Sequence, residues 1–395
     1  MRKYIPLILL IHILLAPNLV FGQQSKIDSF FTETPFLIKG SYQLGKVLPT
    51  NDFIRGNNLG KQIIEDYTSF SVLLLKQTTG AKLWEQVFAY PVYGIGFYTA
   101  FFDETTALGN PISVYGYFSG PFVRFQKLSF NYDLGLGLAF NWNDFNPVNN
   151  PDNISIGADR SVHMEAGVNL EYQLARRFSL SVGYGFNHFS NGKLKLPNMG
   201  LNTEAAKFSL VHQLNNPLYS FMKNEVPKFE KHNEWDISFY AGAENVIYNG
   251  DDIDIQAKYK GLFFPVYGIC NTFNRCIGYK SKIGAGFTAG YNGALNAQIA
   301  VENGELDEVD LPFGTHMTLS IYPSYELVIN RLSVIVQPGF YVYRKKTEES
   351  TTAFYQRFGV KYHFYKDYFL GVSLRATQFH VSNYIEWNIG RRINW

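Results

Sequence analysis

A histidine and a serine two residues apart, His188 and Ser190, are the side chains in this sequence best suited to joint chemistry. They continue an alternating row of apolar residues made of Leu180, Val182, Tyr184 and Phe186. Residues i and i+2 of a strand share a face, so the imidazole can reach the hydroxyl and act as its general base. The alternative is a plain polar cap where a strand leaves a bilayer, and these two residues alone do not decide between the two interpretations.

Residues that follow the serine could stabilise the negative charge formed in ester cleavage. The backbone N–H groups of Asn191 and Gly192 and the side-chain amide of Asn198 are the available donors. Gly192 also has no Cβ to obstruct a substrate. Ordinary turn formation remains the alternative for both asparagines, because Asn-Gly and Pro-Asn pairs are frequent in turns.

The strand that carries these residues belongs to a chain with a recurrent period of two. From Leu128 to Trp142, large apolar residues alternate with small or polar ones. Eight large residues on one face exceed a soluble strand of about five or six residues and suit a tilted membrane strand of about 9 to 11. The pattern returns near the C-terminus, which ends on Trp395. We therefore predict an all-β fold, a transmembrane antiparallel outer-membrane β-barrel.

Composition agrees with a membrane barrel and excludes other classes. Aromatic residues make up 17% of the 395 residues and charged residues also 17%, against a usual charged share of about a quarter. The net charge of +2 gives no reason to expect a nucleic-acid partner. The two cysteines, Cys270 and Cys276, are too few for a cysteine-rich metal module and predict a small disulfide loop in an exported chain.

The chain divides into four segments. A basic start followed by a short apolar run predicts a signal peptide over residues 1–22. Barrel strands with the active site are expected over 23–214, a polar periplasmic connection over 215–234, and further strands over 235–395. We favour a single barrel of about 14 to 16 strands, and an eight-stranded barrel followed by a further β region is the alternative.

Connections of unequal length orient the barrel. The turn at residues 174–177 is short, whereas the connections 143–156 and 191–202 are long and polar. Short turns face the periplasm and long loops face outside in such barrels, so Ser190 is expected at the outer face of the membrane.

The string His188-Phe189-Ser190-Asn191-Gly192, followed by Leu196-Pro197-Asn198-x-Gly200, resembles the outer-membrane lipid A 3-O-deacylase family. The long, acyloxyacyl hydrolase-like relatives of that family share further segments seen here, at residues 144–147, 153–157 and 386–390. The resemblance implies Ser190 as nucleophile and His188 as base. It places the orienting acid of the family at Asn202, which is a departure from the family pattern.

The departure at Asn202 suggests a second candidate. An asparagine can hold a histidine in the correct tautomer, but it cannot stabilise the imidazolium as a carboxylate does. A hairpin symmetric about Leu196 would place His188 opposite Glu204, and Ser190 opposite Asn202. Glu204 is therefore predicted to supply the missing charge, and an interfacial glutamate at a strand end is the alternative.

We predict an outer-membrane esterase of Gram-negative cells that removes an ester-linked acyl chain from lipid A, with 3-O-deacylation favoured, and that uses no metal or cofactor. The implied partners are lipid A or lipopolysaccharide of the outer leaflet and, through the C-terminal strand, the outer-membrane assembly machinery. A homodimer is left open. The alternatives are a non-enzymatic pore or structural barrel with a degenerate site, and a phospholipase-type esterase.

Overall fold

A computed structural model describes residues 35–103, 105–215, 220–246, 248, 250–347, 352–378 and 381–395. The predicted signal peptide, residues 1–22, lies outside the described residues. Within the described ranges, none of the helices has the length and apolar character needed to cross a membrane.

Within the described residues, sixteen antiparallel strands form two closed barrels of eight strands each. The strands of the first barrel are β1 (Phe36–Val47), β2 (Asp66–Gln77), β3 (Val92–Phe102), β4 (Gly109–Arg124), β5 (Leu128–Trp142), β6 (Ser161–Ala175), β7 (Phe178–Ser190) and β8 (Leu201–Gln213). The strands of the second are β9 (His232–Asn245), β10 (Phe263–Cys276), β11 (Ser281–Asn292), β12 (Met317–Ile329), β13 (Leu332–Tyr343), β14 (Phe354–Tyr365), β15 (Tyr368–Thr377) and β16 (Val381–Asn394). Short helices lie in the connections: α1 (Leu83–Val87), α2 (Thr105–Leu108), α3 (Ile253–Tyr259), α4 (Leu295–Asn303) and a 3₁₀ turn (Phe313–His316).

The fold confirms the predicted all-β membrane barrel class, but the preferred single barrel is wrong. Strand β8 pairs with β1 from Leu37 opposite Gln213 to Val47 opposite Thr203, and β16 pairs with β9 in the same way. Each set of eight strands thereby satisfies its own edge backbone groups, as a lipid-exposed sheet must. The alternative, an eight-stranded barrel followed by a further β region, describes the molecule, and that region is itself a closed barrel.

Strand β7 shows how the alternation in sequence becomes a membrane wall. Its outward residues Leu180, Val182 and Tyr184 are about half exposed, whereas Ser181 and Asn187 on the other face are buried in the barrel. Burial of polar groups inside and exposure of apolar groups outside is the reverse of a soluble protein and fits a lipid environment.

Strand β5 departs from the predicted alternation at its end. The outward row runs through Leu136, Leu138 and Phe140 as expected. Asn141 then adopts a positive φ of 66°, and Trp142 turns inward, where its indole N–H donates to Ser161 Oγ at 2.9 Å. The left-handed conformation of Asn141 turns Trp142 to the opposite face of the strand, which a strict alternation with period two does not allow.

The middle of the first barrel's interior is filled with side chains. Lys207 lies buried between Asp133, at 3.5 Å, and Glu165. Further up the lumen, the buried rings of Tyr98 and Tyr115 flank His163. A lumen packed with side chains weighs against the pore alternative.

Charged residues also fill the second barrel. Glu386 is fully buried and accepts from Arg375 at 2.6 Å, and Arg357 lies at 3.4 Å. Lys361 bridges Asp236 and Glu326 at 2.7 and 2.9 Å. Pairing of opposite charges is what makes their burial tolerable.

The predicted disulfide is wrong. Cys270 and Cys276 are free, buried and on the same strand, β10. Six residues along a strand correspond to about 20 Å, far beyond the reach of a disulfide. The sequence spacing suggested a loop because the strand that contains both cysteines was not recognised.

The connection between the barrels lies at their short-turn ends. Met222 N–H donates to the Thr79 carbonyl at 2.8 Å, and the Tyr90 ring stacks on Phe221. The Tyr279 hydroxyl, in a turn of the second barrel, donates to the Pro227 carbonyl at 3.0 Å. The segment therefore contacts both barrels on the side away from Ser190.

Candidate active site

Strands β7 and β8 bring His188 directly opposite Asn202. The His188 Nδ1 and Asn202 Oδ1 atoms are 2.6 Å apart, and both side chains lie on the outward face. An amide oxygen can only accept, so Nδ1 carries the proton and Nε2 is left free to accept one. This is the tautomer that a histidine base requires.

Two donors converge on Ser190 at the end of β7. The Asn198 Nδ2 donates to Ser190 Oγ at 2.9 Å, and the Gly192 N–H donates to the same oxygen at 3.2 Å. The Asn191 N–H donates to Asn198 Oδ1 at 3.0 Å and so fixes the direction of the amide. Of the three predicted oxyanion donors, the Gly192 N–H and the Asn198 amide donate to the serine oxygen. The third, the Asn191 N–H, holds the Asn198 amide in place.

Gly200 lies against both His188 and Ser190. Its φ is +77°, and a β-carbon built on it would be 3.1 Å from His188 Cε1 and 3.7 Å from Ser190 Cβ. The two side chains therefore border the same small space. In the described residues no hydrogen bond joins the imidazole to Ser190 Oγ, a contact that catalytic sites often make only when substrate is bound.

The loop that carries Asn198 is held in place by a second loop, which connects β5 and β6. The Met199 and Gly200 N–H groups donate to the carbonyls of Ile154 and Ser155 at 2.9 and 3.0 Å. A β-carbon on Gly157 would lie 2.0 Å from the Pro197 carbonyl oxygen, so only glycine permits this approach.

The segments 144–147 and 153–157, which the sequence marked as shared with long relatives, belong to this second loop. The Lys195 ammonium bonds to Asp144 at 2.9 Å. The Asn153 side chain accepts from the N–H groups of Ser155 and Ile156 at 3.1 and 3.0 Å and shapes the loop. These residues are positioning residues, and no spacing rule in the sequence reveals that the two loops meet.

The register predicted for Glu204 is wrong by two residues. Glu204 pairs with Phe186 instead of His188, and its carboxylate lies beside the Tyr184 hydroxyl. It does face outward, as expected. Glu204 lies further into the membrane than Asn202, at the pair Phe186–Glu204. The structure thus brings together Ser190, His188, Asn202, Asn191, Gly192 and Asn198.

One group of metal-ligand type lies far from this site. His232, Glu234 and Cys276 have ligand atoms within 4.8 Å of one another, at the short-turn end of the second barrel. Glu234 is already paired with Lys282 and with Arg392, the latter at 3.1 Å. The cluster could not be found from the spacing of its residues, because they lie on two strands, β9 and β10, whose pairing is not evident from the sequence.

The fold is that of an outer-membrane β-barrel, and His188, Ser190, Asn198 and Asn202 lie together on the outer wall of its first barrel. Residues 72–210 match the family model for lipid A 3-O-deacylase (PagL), and residues 233–395 match the model for the acyloxyacyl hydrolase C-terminal domain. The first barrel is therefore similar to the lipid A 3-O-deacylase family, and the second barrel is similar to the acyloxyacyl hydrolase C-terminal domain. The resemblance and the outer-membrane location expected from the sequence are confirmed.

Solved structures with similar folds are distant in sequence. The crystal structure of the outer membrane enzyme PagL is 16% identical, with a TM-score of 0.31, and the match covers 43% of this chain and 97% of that one. A triple mutant of the Rhodopseudomonas blastica porin is 10% identical, with a TM-score of 0.18, over 92% of this chain and 100% of the porin. The Pseudomonas putida toluene transporter TodX is 9% identical, with a TM-score of 0.19, over 93% and 90%. A search of curated proteins finds no match.

Proposed function

We propose that this protein is an outer-membrane esterase that removes an ester-linked acyl chain from lipid A, at the 3-O position. The observation that carries the proposal is the convergence of two N–H donors on Ser190 Oγ beside a histidine whose tautomer is fixed by Asn202. The family match of residues 72–210 supports lipid A as the substrate.

In the proposed acylation step, His188 Nε2 takes the proton of Ser190 as its Oγ attacks the ester carbonyl carbon. The negative charge that develops on the carbonyl oxygen is stabilised by the Gly192 N–H and the Asn198 amide. Collapse of this intermediate breaks the ester bond, and the departing sugar oxygen takes the proton from His188. The acyl chain is then bound to Ser190 as an ester.

In the deacylation step, His188 takes a proton from water, which attacks the acyl-serine carbonyl. The released product is a free fatty acid, and Ser190 regains its proton from His188. No step requires a metal or a cofactor.

The location of the site on the outer wall suits a substrate that is itself part of the membrane. His188 and Ser190 continue the lipid-facing row of β7. A lipid whose chains lie in the bilayer can therefore reach Ser190 by lateral movement, without leaving the membrane.

The proposal is tested by mass spectrometry of lipid A from cells that produce the intact protein, Ser190→Ala, or no protein. We expect loss of one 3-hydroxyacyl chain only with the intact protein, and heat-modifiable migration of both proteins as evidence that they fold. Unchanged lipid A in all three strains would contradict the proposal. Release of fatty acid from glycerophospholipids instead would favour the phospholipase alternative, and no release from either lipid would favour the non-enzymatic barrel.

A further inference from the structure

The second barrel touches the first next to the nucleophile. A β-carbon built on Gly192 would lie 2.8 Å from Cδ1 of Ile385 and 3.7 Å from Cδ1 of Leu374. Gly192 is the residue whose N–H donates to Ser190 Oγ. The neighbouring Lys193 carbonyl accepts from Asn245 of β9 at 3.1 Å, so the contact involves more than one residue.

Leu374 and Ile385 belong to the outer wall of the second barrel. They are cross-strand partners on β15 and β16, near the long-loop end. Their sequence neighbours Arg375, Tyr384 and Glu386 are buried inside the barrel, so the two apolar side chains point outward.

Beyond this contact, the apolar rows of the two walls remain exposed. On β7 these are Tyr184 and Phe186, and on β16 they are Trp387, which is 66% exposed, and Ile389. At the short-turn ends the barrels touch again, where the Lys280 ammonium lies 4.7 Å from the centre of the Phe88 ring. Exposed apolar side chains of both barrels therefore continue from the contact at Gly192 toward the membrane.

We propose that the second barrel forms one wall of the acyl-chain site, with Leu374 and Ile385 contacting the chain beside the scissile ester and setting the preference for chain length. The inference rests on the proposed function. An ester carbonyl bound at the Gly192 N–H lies beside these two side chains, and its acyl chain must pass them to enter the bilayer. Apolar contacts discriminate between chains that differ by methylene groups, which is the kind of selectivity that a lipid esterase needs.

The test uses the purified full-length protein in detergent micelles with the acetyl and dodecanoyl esters of p-nitrophenol. The ratio of kcat/KM for the long ester to that for the short one measures recognition of the chain. We expect the double variant Leu374→Ala/Ile385→Ala to lower this ratio by about tenfold or more. Ile385→Trp, which adds bulk beside Gly192 without removing apolar surface, should also lower the ratio and serves if the double variant does not fold.

The matched control is Leu319→Ala/Ile321→Ala on β12, on the far side of the second barrel. Both residues are outward-facing and exposed, and Ile321 follows the start of its strand by four residues, as Ile385 does. The control should keep the wild-type ratio. An unchanged ratio in the folded Leu374 and Ile385 variants, or an equal fall in the control, would overturn the inference while the proposed function stood. Hydrolysis of both esters by Ser190→Ala would overturn the proposed function as well.

Discussion

The His188 imidazole is oriented by an amide, where catalytic triads usually have a carboxylate. The 2.6 Å contact with Asn202 Oδ1 fixes the tautomer but adds no negative charge. The site is therefore expected to depend on orientation of the histidine more than on charge stabilisation.

We predict that Asn202→Ala lowers kcat for lipid A by about 10² to 10⁴, because the imidazole loses its only tautomer-fixing partner among the described residues. Glu204→Gln, which changes a residue opposite Phe186, should stay within a few-fold of wild type. The kcat of each variant is measured on purified protein with defined lipid A. A severe loss in Glu204→Gln with a silent Asn202→Ala would show that the glutamate orients the base.

The close approach at Gly157 gives a second prediction. Gly157→Ala places a methyl group on the Pro197 carbonyl oxygen, and we expect the loop that carries Asn198 to shift and kcat to fall by about tenfold or more. Gly40→Ala is the control, since a β-carbon there meets nothing within 4 Å. Equal activity of the two variants, measured by fatty acid release, would mean that the loop contact does not position the donor.

Among the residues of the site, sequence reasoning could find those whose spacing along one strand matters. The shared face of His188 and Ser190 follows from the period of two. The family resemblance placed the orienting position at Asn202, which does lie opposite His188. The hairpin symmetry that paired His188 with Glu204 failed, because the ten-residue loop 191–200 is irregular and held by another loop, so its midpoint does not define the register.

At the scale of the strand, buried ion pairs stabilise the interior of the second barrel. Glu386 stands in the segment 386–390 that the sequence marked as shared with long relatives, and it is the common partner of Arg375 and Arg357. Its neighbour Trp387 faces lipid. Segment 386–390 therefore has a structural role in the second barrel, whereas Ser190 lies on the first barrel.

We predict that Glu386→Gln destabilises the second barrel by about 3 to 5 kcal/mol, because it leaves two buried guanidinium groups without their carboxylate. Urea unfolding of the refolded protein in detergent, followed by tryptophan fluorescence, measures the change. Glu308→Gln in an exposed loop is the control and should have no effect. A wild-type midpoint for Glu386→Gln would show that the buried pairs contribute nothing.

The strands themselves were predictable because an outward apolar row is a local property of the sequence. Leu136, Leu138 and Phe140 face lipid as their spacing indicates. Trp142 does not, because the left-handed conformation of Asn141 changes the face, and a period of two contains no sign of it.

At the scale of the whole molecule, the described residues form two barrels, a division that no residue pattern shows. Closure depends on which strands pair at the edges, β1 with β8 and β9 with β16, and every strand alternates in the same way whichever barrel it joins. The polar connection 215–234 was visible, but whether it joins two barrels or two strands of one barrel was not.

The orientation of both barrels in the membrane can be tested by cysteine labelling, because Cys270 and Cys276 are buried and give little background. We predict that Leu194→Cys, in the loop beside Ser190, reacts with a membrane-impermeant maleimide on intact cells. Arg176→Cys, in an exposed turn at the opposite end, should react only after the membrane is opened. The reverse pattern would place the site at the inner leaflet and remove lipid A as its substrate.

The central claim, that Ser190 is an activated nucleophile, is tested most directly by treating the purified protein with a serine-reactive alkyl phosphonate and measuring its intact mass. We predict one phosphonyl adduct, which peptide mapping assigns to Ser190, and no adduct in Ser190→Ala or His188→Ala. Absence of an adduct from a wild-type protein that still releases fatty acid from lipid A, or an adduct on another residue, would contradict the account.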